Sequence, residues 1–398
     1  MRRIVIARGI SNFCDEIWSV SLPLAFAASG LLIADLGRAQ SAFATGDLLG
    51  FSLLPFFSIK FGSRTLSIWS DFIAAVASIV LGIILYLYGM NPIALIVLNF
   101  VLGLAFAIWF SNFDATMATA LKKDQVVTYH RLLQISLNGS LLIAPIVAVF
   151  FNLHIGLAGI AILNGLSFLL QIGIFSDYTK HTNQEKRHKN LRDFYQEGIH
   201  RFRISPMLKQ QTLVSLCFKF YYAIIPFMIY HMSKHRNFPE SAGLSAGTLL
   251  TATGLGMVVS ALLNKNKPPQ AAGSEFTKYS FCMAAFGLVV MSLAFNPVLH
   301  FYYFLALMFV WGFFVARYQI YFRSLRQIME PSTSFASIVA IQGLSVRIFG
   351  PAVGFLFPFF YNRDHRQMYF VAVGLVLTAL VILALISLKR SLKVAAPI

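Results

Sequence analysis

Apolar stretches of membrane-spanning length follow one another along almost the whole chain, broken by short polar gaps. A helix needs roughly 20 mostly apolar residues to cross a bilayer. Twelve such stretches fall at about 10–33, 39–58, 66–90, 93–119, 127–151, 155–176, 211–232, 242–263, 277–296, 300–322, 334–361 and 366–388. Backbone polar groups in lipid have no water to bond, so stretches of this kind fold as helices. The fold class expected is therefore an all-α membrane protein with twelve transmembrane helices.

Charge then sets direction. The net charge is +17 although only 12% of residues are charged, and the mean hydropathy is +0.71. Basic residues crowd every second gap: Arg2, Arg3 and Arg8, then Lys60 and Arg64, Lys122 and Lys123, the stretch from Lys180 to Lys209, Lys265 to Lys278, Arg323 and Arg326, and Lys389 to Lys393. The alternate gaps hold only Arg38, Lys234, Arg236, Arg363 and Arg366. The positive-inside rule puts the first set in the cytoplasm, and with it both termini. The basic charge is spread over several loops, which argues for topology and against nucleic-acid binding.

The first stretch is too long for a signal peptide and carries Asp15 and Glu16, so it reads as a retained span. Cys14, Cys217 and Cys282 all fall within spans, where they act as small apolar residues and not as a disulfide framework. Residues 177–210 break the rhythm and divide the chain into 1–176 and 211–398, six spans each. Within them Leu191, Phe194, Tyr195, Ile199 and Phe202 recur at near-helical spacing beside Arg192, Arg201 and Arg203. That pattern predicts an amphipathic helix lying on anionic lipid, or else a solvated linker helix.

Six spans, a basic linker and six more resemble the major facilitator superfamily. ISNFCDEIWSVSLPLAF at 10–26, LKKDQVVTYHRLLQISLNGSLLIAPIVAV at 121–149, LRQIMEP at 325–331 and FGPAVG at 349–354 resemble, in order and spacing, its enterobactin-exporter-like branch. The superfamily's usual G-x-x-x-D-R-x-G-R-R loop is eroded. Pro55, Ile59, Lys60 and Ser63 stand at its first glycine, its aspartate and two of its arginines, and only Gly62 and Arg64 remain. Asp71 resembles an acidic position common in the branch. Of the antiporter motif on the fifth helix only Gly139 and Pro145 are left.

An ionisable residue at mid-membrane costs about 2.5–3.5 kcal/mol on insertion scales, so each one asks for a reason. The first half holds Asp15, Glu16, Asp47, Asp71, Asp114 and Arg131; the second holds Lys219, Arg317 and Arg347. In the fold resembled, helices one, four, seven and ten line a central cavity flanked by two, five, eight and eleven. All of these charges except Asp71 fall on such helices, which implies a cavity with acids on one wall and bases on the other. Lys219, Arg317 and Arg347, with Tyr221, Tyr222 and Tyr318 beside them, are the expected substrate-binding residues. Asp47, Asp15 and Glu16 are the expected proton-coupling residues. Asp15 and Glu16 are about 100° apart on a helix, so only one of them is expected to face the cavity. Asp114 and Arg131 are expected to form a fixed ion pair, Asp71 and Arg64 to serve gating or structure, and Arg317 to reach for the membrane interface.

The sequence contains no G-x-x-x-x-G-K-[ST], H-E-x-x-H or C-x-x-C. No cofactor or metal and no enzymatic activity is expected. The expected function is proton-coupled export of a small organic solute, anionic or siderophore-like, by a monomer in a bacterial inner membrane, with lipids and protons as its other partners. Multidrug efflux of lipophilic cations, uptake of an anion and a transport-dead receptor stay open as alternatives.

Overall fold

The computed structural model describes residues 2–120, 126–178, 190–234, 242–264, 272–293, 301–329, 335–361 and 372–383. They form α1 (Arg2–Ala28), α2 (Ile33–Lys60), α3 (Ser63–Tyr88), α4 (Pro92–Ala120), α5 (Val126–His154), α6 (Gly156–Tyr178), α7 (Leu191–Ile204), α8 (Pro206–Lys234), α9 (Ala242–Leu262), α10 (Ala272–Leu293), α11 (Phe301–Met329), α12 (Phe335–Arg347) and α13 (Phe349–Tyr361). A last helix, α14, runs Ala372–Leu383. Every predicted span has its helix. The eleventh is broken at Ile348 into α12 and α13, and several helices run a turn or more past the apolar core.

Local signals explain the ends. Asn91 Oδ1 accepts from the amides of Ile93 and Ala94, capping α4, and Gly89 closes α3 at φ 71°, where a side chain would be strained. Pro23, Pro55, Pro145, Pro226 and Pro358 all sit inside helices. Neighbouring helices make that tolerable in a membrane bundle.

Seven helices among the described residues, with α12 and α13 taken as one span, are long and apolar enough to cross a membrane. Their outer faces are apolar. Along α3, Phe72, Val76, Val80, Ile83 and Leu87 repeat at helical spacing and are all exposed, a stripe that only lipid would cover. Leu163, Leu166 and Leu170 form the same kind of stripe on α6. α1 and α2, which carry Asp15, Glu16 and Asp47, pack against several other helices. α1 packs on α5, α6 and α8, while α2 packs on α4 and α13.

Within each half a helix pair crosses in backbone contact through reciprocal glycines, and α3 and α6 also approach closely at Gly82 and Gly165. A Cβ at Gly103 (α4) would collide with the carbonyl of Phe43 (α2), and one at Gly46 (α2) with the carbonyl of Phe100 (α4). In the second half Gly312 (α11) meets the carbonyl of Thr253 (α9), and Gly256 (α9) that of Phe309 (α11). Partner and glycine stand three residues apart on each helix, in both halves. The two crossings are built alike, and small residues make them possible.

The linker helix α7 forms where its pattern predicts, and part of its apolar face packs on the bundle. Its Asn190 cap accepts from the Asp193 amide at 3.0 Å. Phe194 is fully buried, packed with Leu54 of α2 and Ala340 of α12, and Gly198 lies against the Ser337 carbonyl. The Tyr195 hydroxyl donates to the Ser52 carbonyl at 2.9 Å, and burial pushes its phenol pKa up from the ordinary value. Part of the apolar face thus docks on protein, while Leu191, Ile199 and Ile204 remain exposed. The helix packs on α12, α2 and α8. Tyr195→Phe is expected to cost about 0.5–1.5 kcal/mol of thermal stability in detergent, the net worth of one such hydrogen bond.

Candidate functional site

A cavity of about 490 Å³ lies between the halves, walled mainly by α1, α2, α4, α5, α8, α11 and the α12–α13 junction, with α3, α6 and α9 contributing a few residues. That volume is in the lower part of the range of about 300–1,000 Å³ typical of small-molecule sites. Aromatic rings make up much of the wall. Phe43 and Phe106 lie 6.0 Å apart, Phe106 stacks on Phe110 at 5.8 Å, and Trp109 stacks on Phe113 at 4.7 Å.

The charges on that wall are segregated. Asp15, Glu16, Asp47 and Asp71 come from the first half; Lys219, Arg323, Arg326 and Arg347 come from the second. Arg8 is the exception, a base on the acidic side. It is buried over the Trp109 ring, 4.1 Å from its centroid, with Nη1 3.8 Å from Asp15.

At mid-depth one pair crosses between the halves. Arg347 Nε donates to Asp47 Oδ2 at 2.6 Å, both side chains are 9% exposed, and the guanidinium lies 3.9 Å from the centre of the Phe51 ring. Asp47 Oδ1 is buried and has no hydrogen-bond partner among the described residues. Arg347 is the last residue of α12 before the turn at Ile348, so the helix break lies beside this pair.

The halves also meet on either side of the cavity. Towards the α7 end, His130 Nε2 lies 2.9 Å from Gln327 Oε1, Gln134 bonds Gln319, and Arg131 Nη1 donates to the Asn264 carbonyl at 3.2 Å. At the opposite end Ser41 Oγ donates to the Pro351 carbonyl at 3.1 Å, and Gly37 and Gly354 bring α2 and α13 into contact. Gly354→Leu is therefore expected to wedge that end apart. Labelling of a single cysteine placed there should rise, and labelling of one at the α7 end should fall.

Several expected site residues are where the sequence put them. Lys219, Arg347, Tyr222, Tyr318, Asp47, Asp15 and Glu16 all line the cavity. Others need correction. Both Asp15 and Glu16 line it, and Asp15 lies beside Arg8. Asp71 lines it too, accepting from Gln171 Nε2 at 3.1 Å.

Arg317 does not line the cavity, nor does it reach for the interface. It is buried against α9, donating to Ser260 Oγ at 3.1 Å and to Asn264 Oδ1 at 2.5 Å. Tyr221 turns outward from the cavity and bonds Thr378 at 2.8 Å. One residue along the helix turns a side chain by about 100°, which separates it from Tyr222. Arg64 Nη2 donates to the Ser176 carbonyl at 3.0 Å, tying α3 to the end of α6. The Asp114 side chain lies outside the described residues.

The sequence reading missed Arg8, Arg323 and Arg326, which it assigned to loops. Arg326 is buried and donates to Gln342 Oε1 at 3.1 Å; Arg323 lies 5.4 Å from the centre of the Phe110 ring. The signal that could have found them is the helical register of α11, which continues from the apolar core through both arginines. Among the described residues no group of three or more His, Cys, Asp or Glu gathers as a metal site.

No curated protein sequence matches the chain closely enough to be called a relative. Solved structures match over nearly the full length. A bacterial homologue of the iron transporter ferroportin in its outward-facing state is similar with a TM-score of 0.70 at 16% identity, covering 98% of this chain and 99% of that one. The human organic anion transporter MFSD10 gives 0.72 at 14%, covering 96% and 99%. A variant of the nucleoside transporter NupG gives 0.67 at 13%, covering 96% and 98%. At such identities the likeness is one of fold alone. The family model of the Major Facilitator Superfamily matches residues 4–327, and by that match the chain belongs to this superfamily of multi-pass membrane transporters.

Proposed function

We propose that the protein is a proton-coupled secondary transporter that exports a small, anionic, ring-bearing organic solute, siderophore-like in its chemistry, by alternating access. The observation that carries this reading is the sorting of charge in the cavity. Lys219 and Arg323 line its second-half wall, amid aromatic faces on both sides. An anion with a ring system would find donors and stacking surfaces together.

Asp47 and Arg347 supply a coupling step. While Asp47 is ionised it holds Arg347, and the two halves, together at mid-depth. A proton taken up at the unpartnered Oδ1 neutralises that carboxylate and releases the guanidinium. The freed cation can then turn to the solute's acidic group, and loosening of the pair lets the halves move. The alternation of Lys and Arg along the chain supports a bacterial inner-membrane location with both termini cytoplasmic. The units 1–176, 177–210 and 211–398 would then be the two moving halves and their tether. The motifs quoted above support kinship with the enterobactin-exporter-like branch.

Efflux of lipophilic cations is a second reading, favoured by the acids Asp15, Glu16 and Asp71 on the same cavity. Reconstituted vesicles under an imposed pH gradient separate the two. A small iron-free catecholate, an organic cation and a neutral aromatic are offered in parallel. The proposal expects gradient-driven flux of the catecholate, lost in Lys219→Gln. Flux of the cation alone, indifferent to Lys219, would overturn it.

A further inference from the structure

Most charges around the cavity are matched by protein. Arg8 lies beside Asp15, Gln171 serves Asp71, Arg347 holds Asp47, and Arg326 bonds Gln342. Glu16, Lys219 and Arg323 are different. Among the described residues none of the three makes an ion pair or a hydrogen bond, and all three line the cavity half-buried. Holding an unmatched charge inside a membrane protein is costly, and such residues mark binding pathways.

Glu16 and Lys219 stand on α1 and α8, helices that pack against each other, yet they do not neutralise one another. Tyr222 lines the same cavity, with Lys219 Nζ 5.8 Å from the centre of its ring. Tyr222 is 41% exposed, although the cavity lies inside the bundle, so its face is open to an occupant. A solute carrying only negative charge would satisfy Lys219 and Arg323 but face the Glu16 carboxylate uncompensated. One carrying only positive charge would face two unmatched bases. A molecule with both signs satisfies all three groups.

We infer that the solute is a zwitterion, its acidic group held by Lys219 and Arg323, its ammonium group by Glu16, and its apolar or aromatic body laid on Tyr222. The inference deepens the anion-transport reading and rests on it, since it places the acid on the same basic wall.

Trp18 and Trp109 line the cavity, so quenching of intrinsic fluorescence in the full-length protein reports occupancy. Three probes share one scaffold: phenylalanylalanine, its N-acetyl derivative, which is only an anion, and its C-terminal amide, which is only a cation. The zwitterion should bind about tenfold or more tighter than either derivative, as expected for one lost charge-assisted hydrogen bond. Glu16→Gln should bring the N-acetyl anion to within about twofold of the parent, while Glu16→Asp keeps most of the preference. Lys219→Gln should do the same for the amide.

Equal binding of zwitterion and anion by the unaltered protein overturns the inference without help from any variant. So does a preference that survives Glu16→Gln, which would make Glu16 a proton site only, or a failure of all three probes to bind. Gradient-driven transport of the N-acetyl anion, measured alongside, keeps the two readings apart. If it persists while the zwitterion shows no preference, anion transport stands and the zwitterion falls.

Discussion

Asp47→Ala should destabilise the protein by about 3–5 kcal/mol, because it leaves the Arg347 guanidinium buried without its counter-charge. The pair is short at 2.6 Å, both side chains are 9% exposed, and the Phe51 ring covers one face of the guanidinium. Little solvent is available to take over the lost carboxylate. The thermal midpoint in detergent should fall by a correspondingly large amount. Removing both charges in Asp47→Ala/Arg347→Met should recover most of it, since much of the cost lies in the charge left behind. Transport should not recover in the double variant. Stability restored without flux would separate the structural share of the pair from its coupling share. Equal stability of the single and double variants would mean that Arg347 finds another partner.

Gly103→Val and Gly312→Val should be at least as damaging, by a different route. At each site the clash is with a carbonyl oxygen of the facing helix and not with a side chain that can rotate away. Overpacking of well-packed cores typically costs about 1–3 kcal/mol, and more where the obstacle is backbone. Gly62 provides the comparison: a Cβ there meets nothing within 4 Å, and alanine should be tolerated. Yield of folded protein from size-exclusion profiles would test the series. Wild-type behaviour of Gly312→Val would show that α9 and α11 do not approach as closely as described.

The sequence made the spans legible because a bilayer demands about 20 apolar residues and tolerates few exceptions. The segregation of acids and bases between the halves was legible for the same reason, as exceptions to that demand. Partner choice was not. Asp47 and Arg347 are 300 residues apart in the chain, and nothing local to either names the other. Helix phase was equally hidden: α8 is apolar on most sides, so the pattern gave no reason to turn Tyr222 inward and Tyr221 outward. Arg8, Arg323 and Arg326 were misassigned because helices continue past the apolar core, and charge near a helix end reads as loop. For α7 the amphipathic pattern was legible but the residues of α2 and α12 that cover Phe194 were not, since an apolar face does not say what will cover it.

The paired glycine crossings bear on how such a bundle can move. Where two backbones touch with no side chain between them, there is no rotamer to yield, so sliding of α2 along α4, or of α9 along α11, meets an immediate barrier. Each pair then behaves as a stiff beam. Compliance has to come from elsewhere, and two interruptions of the helical hydrogen-bond ladder lie beside the cavity: Pro226 within α8, and the turn at Ile348 next to Arg347. On this mechanical view the protein is a set of rigid levers with softer joints, and one joint sits beside the ion pair that links the two halves.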